Sequence, residues 1–283
     1  MFLDNLRSIQ IKYYFLAILG ISVFSCKTSQ GTGTQTEAVA PEENLLSEQL
    51  VMSTLWFQHS LEAKQLYIRC YELAKVKLLA NNTPAENGKP NAVVLDIDET
   101  VLDNSAYEAR LIENGENYAS DTWAKWVNEE NAPALPGAVE FINFAQDNNV
   151  QVYLVSNRIE STLDATYNNL KKVGINVEKD QVLLKTTTSN KDARRDKINQ
   201  HYKIILFIGD QLTDFSSVFD HPAEAEELLK NDESGLQNRL EQEFILLPNP
   251  MYGTFEQAVY PEGDLTNEQK SEARKKALDT KGL

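Results

Sequence analysis

Apolar positions along the chain alternate between short continuous runs and stretches with helical spacing. The short runs are typical of strands that are buried on both faces of a parallel sheet. They lie at 92–95, 151–155, 181–184 and 204–208. Helical periodicity follows each of the last three runs, at 161–173, 191–201 and 212–219. This alternation predicts an α/β fold with a doubly wound parallel sheet.

Further elements flank this pattern. Residues 45–80 contain neither Gly nor Pro and repeat apolar residues at helical steps, which predicts one or two amphipathic helices. A helix at 136–147, with Pro136 at its start, is expected to cover the sheet. A last strand is predicted at 244–247 and a solvated helix at 265–277.

The N-terminus has the pattern of an export signal. Arg7 and Lys12 precede an apolar stretch at 13–24, which is shorter than the ~20 residues that span a bilayer as a helix. Residues 23–26 resemble a bacterial lipobox, so we expect Cys26 to be lipidated and to become the mature N-terminus. Ordinary cleavage nearby, with Cys26 incidental, is the alternative.

The chain therefore divides into segments of different character. They are a signal peptide at 1–26, a linker at 27–43, a folded domain at 44–260 and a helix or tail at 261–283. The linker is rich in Gly, Ser, Thr and Gln, as in a flexible tether. Within the domain we expect a core at about 91–260 and a smaller helical subdomain, formed by the N-terminal helices at 44–82 and an insertion at 104–134 after the first strand.

Charge and cysteine content exclude several classes of function. The net charge of −15 opposes binding to nucleic acid, and a small anionic substrate would need a local positive site such as a metal ion. The only cysteines are Cys26 and Cys70, which excludes a disulfide framework and a multi-thiolate zinc site.

Two carboxylates follow the first predicted strand, where ligands of open α/β sheets bind. Asp96 and Asp98, at i and i+2, would face one side of an extended segment and could share an ion or a phosphate. With Mg²⁺ present, Asp96 could attack phosphorus and Asp98 could transfer the protons. A surface acidic cluster or a calcium loop is the alternative, but an EF-hand would need Gly at 101 and Glu at 107, where the chain has Val101 and Tyr107.

Polar residues follow two more strands. Ser156, Asn157 and Arg158 come after the second, where the serine hydroxyl could donate to a phosphoryl oxygen. Asp210 and Asp214 come after the fourth, where they could complete a Mg²⁺ shell or could simply form a turn and a helix cap.

A basic cluster lies between those two segments. Its members are Lys185, Lys191, Arg194, Arg195 and Lys197. One of them could neutralise a phosphoryl group, whereas most are expected on a solvated helix face. We favour Lys191, with Lys185 as the alternative.

Taken together, these motifs resemble those of the haloacid dehalogenase (HAD) superfamily of phosphohydrolases. DIDET, SNR, the lysine and GDQLTD occur in the order and at the strand ends found in that superfamily. More narrowly, VVLDIDETVLDNSAY, SNKDARRDKI, GDQLTDF and LPNPMYG resemble the class C acid phosphatases, the bacterial lipoprotein e group. The resemblance covers most of residues 45–260.

That resemblance implies a role for individual residues. Asp96 would be the nucleophile and Asp98 the acid and base. The Asp96 side chain, the Asp98 backbone carbonyl and Asp210 would hold Mg²⁺, with Asp214 supporting them from outside the metal's contacts.

The resemblance also implies aromatic contacts with the leaving group. Trp123 and Tyr252 would stack on it, and Asn157 and Arg158 would also contact the substrate. For Trp123 and its neighbour Trp126, packing of a helix at 120–130 onto the core is the alternative.

We therefore expect an acid phosphatase of the bacterial cell envelope, anchored by lipid at the outer membrane or its periplasmic face. Its substrates would be small phosphomonoesters, nucleoside 5'-monophosphates among them; a homodimer is left open. One alternative is a catalytically silent surface-binding lipoprotein. Such a protein would be expected to lack Asp96 or Asp98, but both are present. Another is a phosphotransferase or sugar-phosphate phosphatase on the same fold.

Overall fold

The computed structural model describes residues 45–85, 88–231 and 235–282. The predicted signal peptide, the predicted lipidation site Cys26 and the predicted linker at 27–43 lie outside the described residues. The described residues belong to one compact unit. None of the helices in those ranges has both the length and the apolar content needed to cross a bilayer.

Five parallel strands form the sheet in the order β3-β2-β1-β4-β5. Their bounds are β1 (Asn91–Leu95), β2 (Gln151–Ile159), β3 (Val182–Lys185), β4 (Lys203–Gly209) and β5 (Phe244–Leu246). The chain winds outward from the central β1 in both directions, which confirms the predicted doubly wound sheet. Every predicted strand is present.

The end of β2 differs from the prediction. We expected Ser156, Asn157 and Arg158 to follow this strand, but they lie within its last part. Pairing with β1 stops at Leu154, and pairing with β3 is irregular beyond Val155. This part of the strand is therefore free to aim its side chains at the end of the sheet.

Twelve α-helices occur in the described ranges. The first six are α1 (Leu45–Glu48), α2 (Val51–His59), α3 (Leu61–Asn81), α4 (Ser105–Asn114), α5 (Ser120–Asn128) and α6 (Ala138–Asp147). The others are α7 (Leu163–Lys172), α8 (Asp192–Asn199), α9 (Pro222–Asn231), α10 (Leu236–Glu243), α11 (Thr254–Gln257) and α12 (Asn267–Ala277).

Helices cover both faces of the sheet because successive side chains of a strand point to opposite faces. In β1, Val93 and Leu95 enter the larger core, which α3, α6 and α7 cover. Ala92 and Val94 enter the smaller core, which α8, α9 and α10 cover. Both cores are apolar, so the sheet is buried on each side, as its continuous apolar runs predict.

Two predicted helices differ in detail. The helix predicted from Pro136 begins at Ala138, because Gly137 is left-handed (φ 89°) and lies against Tyr71, where an added Cβ would be 3.0 Å from the tyrosine Cβ. The helix predicted at 212–219 is instead two separate 3-10 turns.

Helix α3 packs on the sheet and also holds the loop that follows β1. The buried hydroxyl of Tyr67 lies 2.6 Å from the carbonyl oxygen of Glu99 and 3.0 Å from that of Pro248. Tyr71 donates to the carbonyl oxygen of Thr100 at 2.7 Å. Through these hydrogen bonds the two tyrosines fix the loop that carries the first acidic motif.

Helix α12 is present as predicted, but it is not a detached solvated helix. It packs against α1, and Gln49 Nε2 donates to the buried Ser271 Oγ at 2.8 Å. Arg274 donates to the carbonyl oxygen of Leu46 at 3.3 Å. The C-terminal helix is therefore part of the same compact unit.

Candidate active site

A cavity of about 530 Å³ opens at the carboxyl ends of the central strands. Its walls carry eight of the residues that the sequence singled out: Asp96, Asp98, Trp123, Asn157, Arg158, Lys191, Asp210 and Tyr252. Asp214, which the sequence also singled out, is the ninth. The fold thus brings residues that are far apart in the chain to one place, as expected for the open edge of a doubly wound sheet.

Asp96 lies at the end of β1, and its backbone N–H continues the ladder by donating to the carbonyl oxygen of Ile208 at 2.9 Å. Its carboxylate contacts the ammonium of Lys191. The same ammonium lies 2.7 Å from Asp214 Oδ1. Both carboxylates and Lys191 are buried, so one cation joins the ends of β1 and β4 through side chains.

Lys191 is charged in this setting. Burial by itself would lower the pKa of its ammonium, but the adjacent carboxylates of Asp214 and Asp96 outweigh that effect and raise the pKa above its ordinary value. Lys185, the alternative lysine, lies at the end of β3 and is not among the described residues that line the cavity. Only Lys191 of these two therefore reaches Asp96.

Asp98 is held by three donors. Ser156 Oγ donates to Asp98 Oδ2 at 3.0 Å. Arg158 Nε and Asn104 Nδ2 donate to Asp98 Oδ1 at 2.9 and 3.0 Å. Ser156 is fully buried, and its hydroxyl proton points at Asp98 and not at the cavity, where the sequence had placed it.

Arg158 is the largest buried polar side chain of the site, with 1% of its surface exposed. Besides Asp98, it reaches Thr166 Oγ1 at 3.3 Å and Asn104 Oδ1 at 3.2 Å, and its guanidinium lies 5.7 Å from the centre of the Trp123 ring. The structure therefore directs its charge mainly at Asp98. Asn157 is more exposed, and its Oδ1 accepts from Arg194 at 2.8 Å.

Asp210 follows β4 and is half-buried. Asn249 Nδ2 donates to its Oδ2 at 2.9 Å, and Thr100 Oγ1 lies 3.4 Å from its Oδ1. The carboxylates of Asp96, Asp210 and Asp214 each place an oxygen within 4.8 Å of the others. Such a group of oxygen donors suits a hard divalent cation.

The charge balance also fits a bound cation. Of the three carboxylates, Asp96 and Asp214 share the ammonium of Lys191. Arg158 pairs with Asp98 instead, and the nearby Arg194 donates to carbonyl and amide oxygens. Burial, followed by repulsion from Asp214 and Asp96, raises the pKa of Asp210 well above its ordinary value. Burial likewise raises the pKa of Asp96 to about 7, despite Lys191. Because the carboxylates repel one another, the residues of this site can hold a divalent metal ion.

Glu99 is part of the site although sequence reasoning gave it no role. Its backbone has φ 54°, unusual for a residue other than glycine, and its side chain is fully buried. Glu99 accepts from the backbone N–H of Asn104 at 2.8 Å and from the Tyr252 hydroxyl. It thereby ties the loop after β1 to the loop that carries Tyr252.

The predicted aromatic residues form one wall of the cavity. Trp123 is partly buried and packs edge-on to Tyr107, with ring centres 5.0 Å apart, while still facing the cavity. Tyr118 adds a further exposed ring. Trp126 is buried and donates to Asn104 at 2.9 Å, which confirms packing as its role.

The expectation that most of the basic cluster is solvated is wrong. Lys191, Arg194 and Arg195 are all buried. Arg194 donates to the carbonyl oxygen of Ser156 at 2.5 Å, and Arg195 to that of Asp214 at 2.7 Å. The two arginines are buried where they donate to carbonyl oxygens near the end of β2 and after β4, whereas Lys191 is buried between two carboxylates.

Helix α12 also contributes to the cavity, which the sequence did not indicate. Lys270 and Arg274 line it together with Glu256. Arg274 and Glu256 form an ion pair at 2.6 Å.

Comparison with known families adds an independent observation. The model of the family described as "HAD superfamily, subfamily IIIB (Acid phosphatase)" matches residues 18–255, most of the chain. The chain belongs to this acid phosphatase family. Phosphoric monoester hydrolases form this family, and its parallel-sheet fold agrees with the architecture described above.

Solved structures support the family membership. The class C acid phosphatase from Bacillus anthracis matches at 35% identity with a TM-score of 0.73, over 83% of this chain and 99% of that one. A structure of the same enzyme with tungstate bound matches at 34% identity and a TM-score of 0.75, with the same coverage.

Plant relatives of the acid phosphatase family carry other names. A stem 31 kDa glycoprotein of Glycine max is 30% identical over 167 residues, or 56% of this chain and 58% of that protein. Vegetative storage protein 1 of Arabidopsis thaliana is 26% identical over 164 residues, with the same coverage. The chain thus spans little more than half the length of these relatives.

Proposed function

We propose that this protein hydrolyses small phosphomonoesters, nucleoside 5'-monophosphates among them, through an aspartyl-phosphate intermediate and with Mg²⁺ as cofactor. One observation carries the proposal: the Asp96 carboxylate, at the end of the central strand, contacts the buried Lys191 and faces a cavity that Asp98 also lines. A nucleophile, a proton carrier and a cation thus share one space.

The proposed metal ligands are the side chains of Asp96 and Asp210 and the backbone carbonyl of Asp98. Asp214 would support them, since its two oxygens already accept from Lys191 and from the backbone N–H of Gln211, at 2.7 and 3.0 Å. A divalent ion bound there supplies positive charge that lets an anionic ester approach the carboxylates.

In the first step, the Asp96 carboxylate attacks phosphorus and the bond from phosphorus to the leaving oxygen breaks. Asp98, oriented by Arg158 and Ser156, gives its proton to that oxygen. Lys191 stabilises the charge that spreads over the phosphoryl oxygens. Its fixed position between Asp96 and Asp214 supports this role.

In the second step, Asp98 takes a proton from a water molecule, which attacks the phosphorus of the aspartyl-phosphate. The bond from Asp96 to phosphorus breaks and inorganic phosphate leaves. The proton from this water replaces the one that Asp98 gave to the leaving group, so the site returns to its starting state.

The leaving group would lie against the aromatic wall. Trp123 and Tyr252 both face the cavity, and aromatic faces suit planar rings such as nucleobases. Asn157 borders the same cavity and would contact the substrate beside Arg158. Tungstate, a tetrahedral oxyanion like phosphate, is bound in the related Bacillus anthracis structure, which supports oxyanion binding in this fold.

A binding or storage role without catalysis is the second candidate. It is favoured by the names of the plant relatives, which describe a glycoprotein and a storage protein. The presence of Asp96, Asp98 and Lys191 in one cavity favours catalysis instead.

We also propose export and lipid anchoring at Cys26 to the bacterial envelope. The lipobox-like segment and the tether-like composition of 27–43 support this. Cys26→Ser should move the protein from the membrane fraction to the soluble fraction and abolish the acyl mass increment on the mature N-terminus. A membrane-bound Cys26→Ser protein would contradict the anchor.

The catalytic proposal is tested by phosphate release from AMP, nicotinamide mononucleotide and 4-nitrophenyl phosphate, with and without EDTA. Asp96→Asn should lower the rate about a thousandfold or more. The control is Asp196→Asn, because Asp196 is exposed on α8 and does not line the cavity. Activity that survives both EDTA and Asp96→Asn would refute the mechanism.

A further inference from the structure

One buried carboxyl in the cavity has no part in the chemistry described above. Glu108 lies on α4, lines the cavity and has only 7% of its surface exposed. Within the part of the chain that the structure describes, its side chain forms neither a hydrogen bond nor an ion pair. The carboxyl oxygens retain contact with the cavity, so the group is available as a hydrogen-bond partner for a bound molecule.

The charged groups around Glu108 do not compensate it. Its charged neighbour is Glu256, which is itself paired with Arg274. Burial first, and then repulsion from Glu256, raise the pKa of Glu108 to about 7. Lys270, on the same wall, lies 5.8 Å from the ring centre of Tyr260 and forms no ion pair among the described residues. Within the described ranges, the Glu108 carboxyl is therefore left without a charged partner of opposite sign.

The rest of this cavity wall is suited to a planar organic group. Leu111, one turn after Glu108 on α4, lines the cavity, as do Trp123 and Tyr252. A ring held by these side chains would need a polar edge to satisfy the carboxyl. An N–H group on that edge would supply the donor that the carboxyl lacks.

We propose that Glu108 is a specificity-determining residue that accepts a hydrogen bond from an N–H group of the leaving group. The preferred substrates would be phosphomonoesters whose leaving group carries an amino or amide N–H. This inference rests on the proposed phosphatase function and names the substrate class of the same site.

Matched substrate pairs test the inference. AMP has an exocyclic amino group that purine riboside 5'-monophosphate lacks, and nicotinamide mononucleotide has an amide where nicotinic acid mononucleotide has a carboxylate. In each pair the wild type should prefer the N–H-bearing member in kcat/KM by about tenfold, the size expected for one hydrogen bond to a carboxyl oxygen. Glu108→Leu should bring both ratios close to one, and Glu108→Gln, which keeps an acceptor oxygen, should give intermediate ratios.

The control variant is Glu113→Gln, on the same helix but exposed, which should keep the wild-type ratios. Thermal unfolding of each variant checks that it is folded. If the wild type releases no phosphate from 4-nitrophenyl phosphate, the proposed function fails. If it does so, yet Glu108→Leu keeps the wild-type preference in both pairs, the inference about Glu108 is overturned and the phosphatase proposal stands.

Discussion

Arg158 and Asp98 form an ion pair in which the guanidinium Nε donates to Asp98 Oδ1 at 2.9 Å. The arginine is almost completely buried, whereas the aspartate keeps one side toward the cavity. The pair therefore presents a fixed carboxyl oxygen to whatever the cavity binds.

Arg158→Met should lower kcat about a hundredfold, because Asp98 loses the donor that orients it for proton transfer. KM should change much less. Loss of one partner of this buried pair should also cost about 3 kcal/mol in the free energy of unfolding. Steady-state kinetics and urea denaturation measure the two effects.

Arg110 offers a matched control for this substitution. It also lies over a tryptophan, with its guanidinium 4.9 Å from the ring centre of Trp126, and pairs with Glu129, but it is half exposed. Arg110→Met should cost at most about 1 kcal/mol and leave kcat unchanged. Equal effects of the two substitutions would contradict an orienting role for Arg158.

Gly209→Ala should lower activity although the substituted position carries no functional group. An added methyl would lie 2.5 Å from Asp214 Cβ and closer still to its carboxylate, so Asp214 must move away from Lys191. A displacement of about 1 Å in a supporting group can cost about a hundredfold in rate.

A double-mutant cycle checks the cause. Once Asp214→Gly has removed both the Cβ and the carboxylate that clash with the added methyl, Gly209→Ala should add little further loss. Fully additive losses in the double variant would show that the methyl acts elsewhere.

Asp210→Asn should weaken metal binding. With one carboxylate replaced by a neutral amide, the Mg²⁺ concentration for half-maximal activity should rise by at least about tenfold. Calorimetric titration of Mg²⁺ into the metal-free protein should show the same loss without any substrate. The exposed control Asp196→Asn should give the wild-type titration curve. If Asp210→Asn gives the wild-type curve as well, that result would argue against this metal site.

Glu108 should make the stability of the protein depend on pH. Its pKa is about 7 when folded and takes the ordinary value of 4.5 when unfolded, so the folded state holds a proton that the unfolded state has lost between these values. Stability should therefore fall as the pH rises through this window, by up to about 3 kcal/mol.

Glu108→Gln removes this titration. The free energy of unfolding of Glu108→Gln minus that of the wild type should therefore increase from about pH 4 to about pH 8. Urea denaturation at several pH values measures it, and Glu113→Gln should track the wild type. A constant difference between Glu108→Gln and the wild type would contradict the raised pKa.

Much of the sheet could be predicted because buried parallel strands leave continuous apolar runs in the sequence. The residues after those runs were found for the same reason: strand ends share one edge. Asp96, Asp98 and Asp210 could therefore be grouped without a structure, and Trp126 could be assigned to packing.

Other features depend on contacts that no local pattern encodes. Arg194 and Arg195 are buried because carbonyl oxygens far away in the sequence accept hydrogen bonds from them. Their charge alone would predict that both side chains are exposed to solvent. Helix α12 buries only Ser271 and docks through polar side chains, so it lacks an apolar stripe that would predict packing.

The contact between α1 and α12 places the first and last helices of the described chain side by side. Natural domains with neighbouring ends often tolerate circular permutation. Joining Ala277 to Leu45 through a short peptide would therefore keep the wall that holds Lys270 and Arg274 and would free a new pair of ends elsewhere on the surface. Truncation of the chain after Tyr260 would instead remove α12 and with it the cavity-lining residues Lys270 and Arg274.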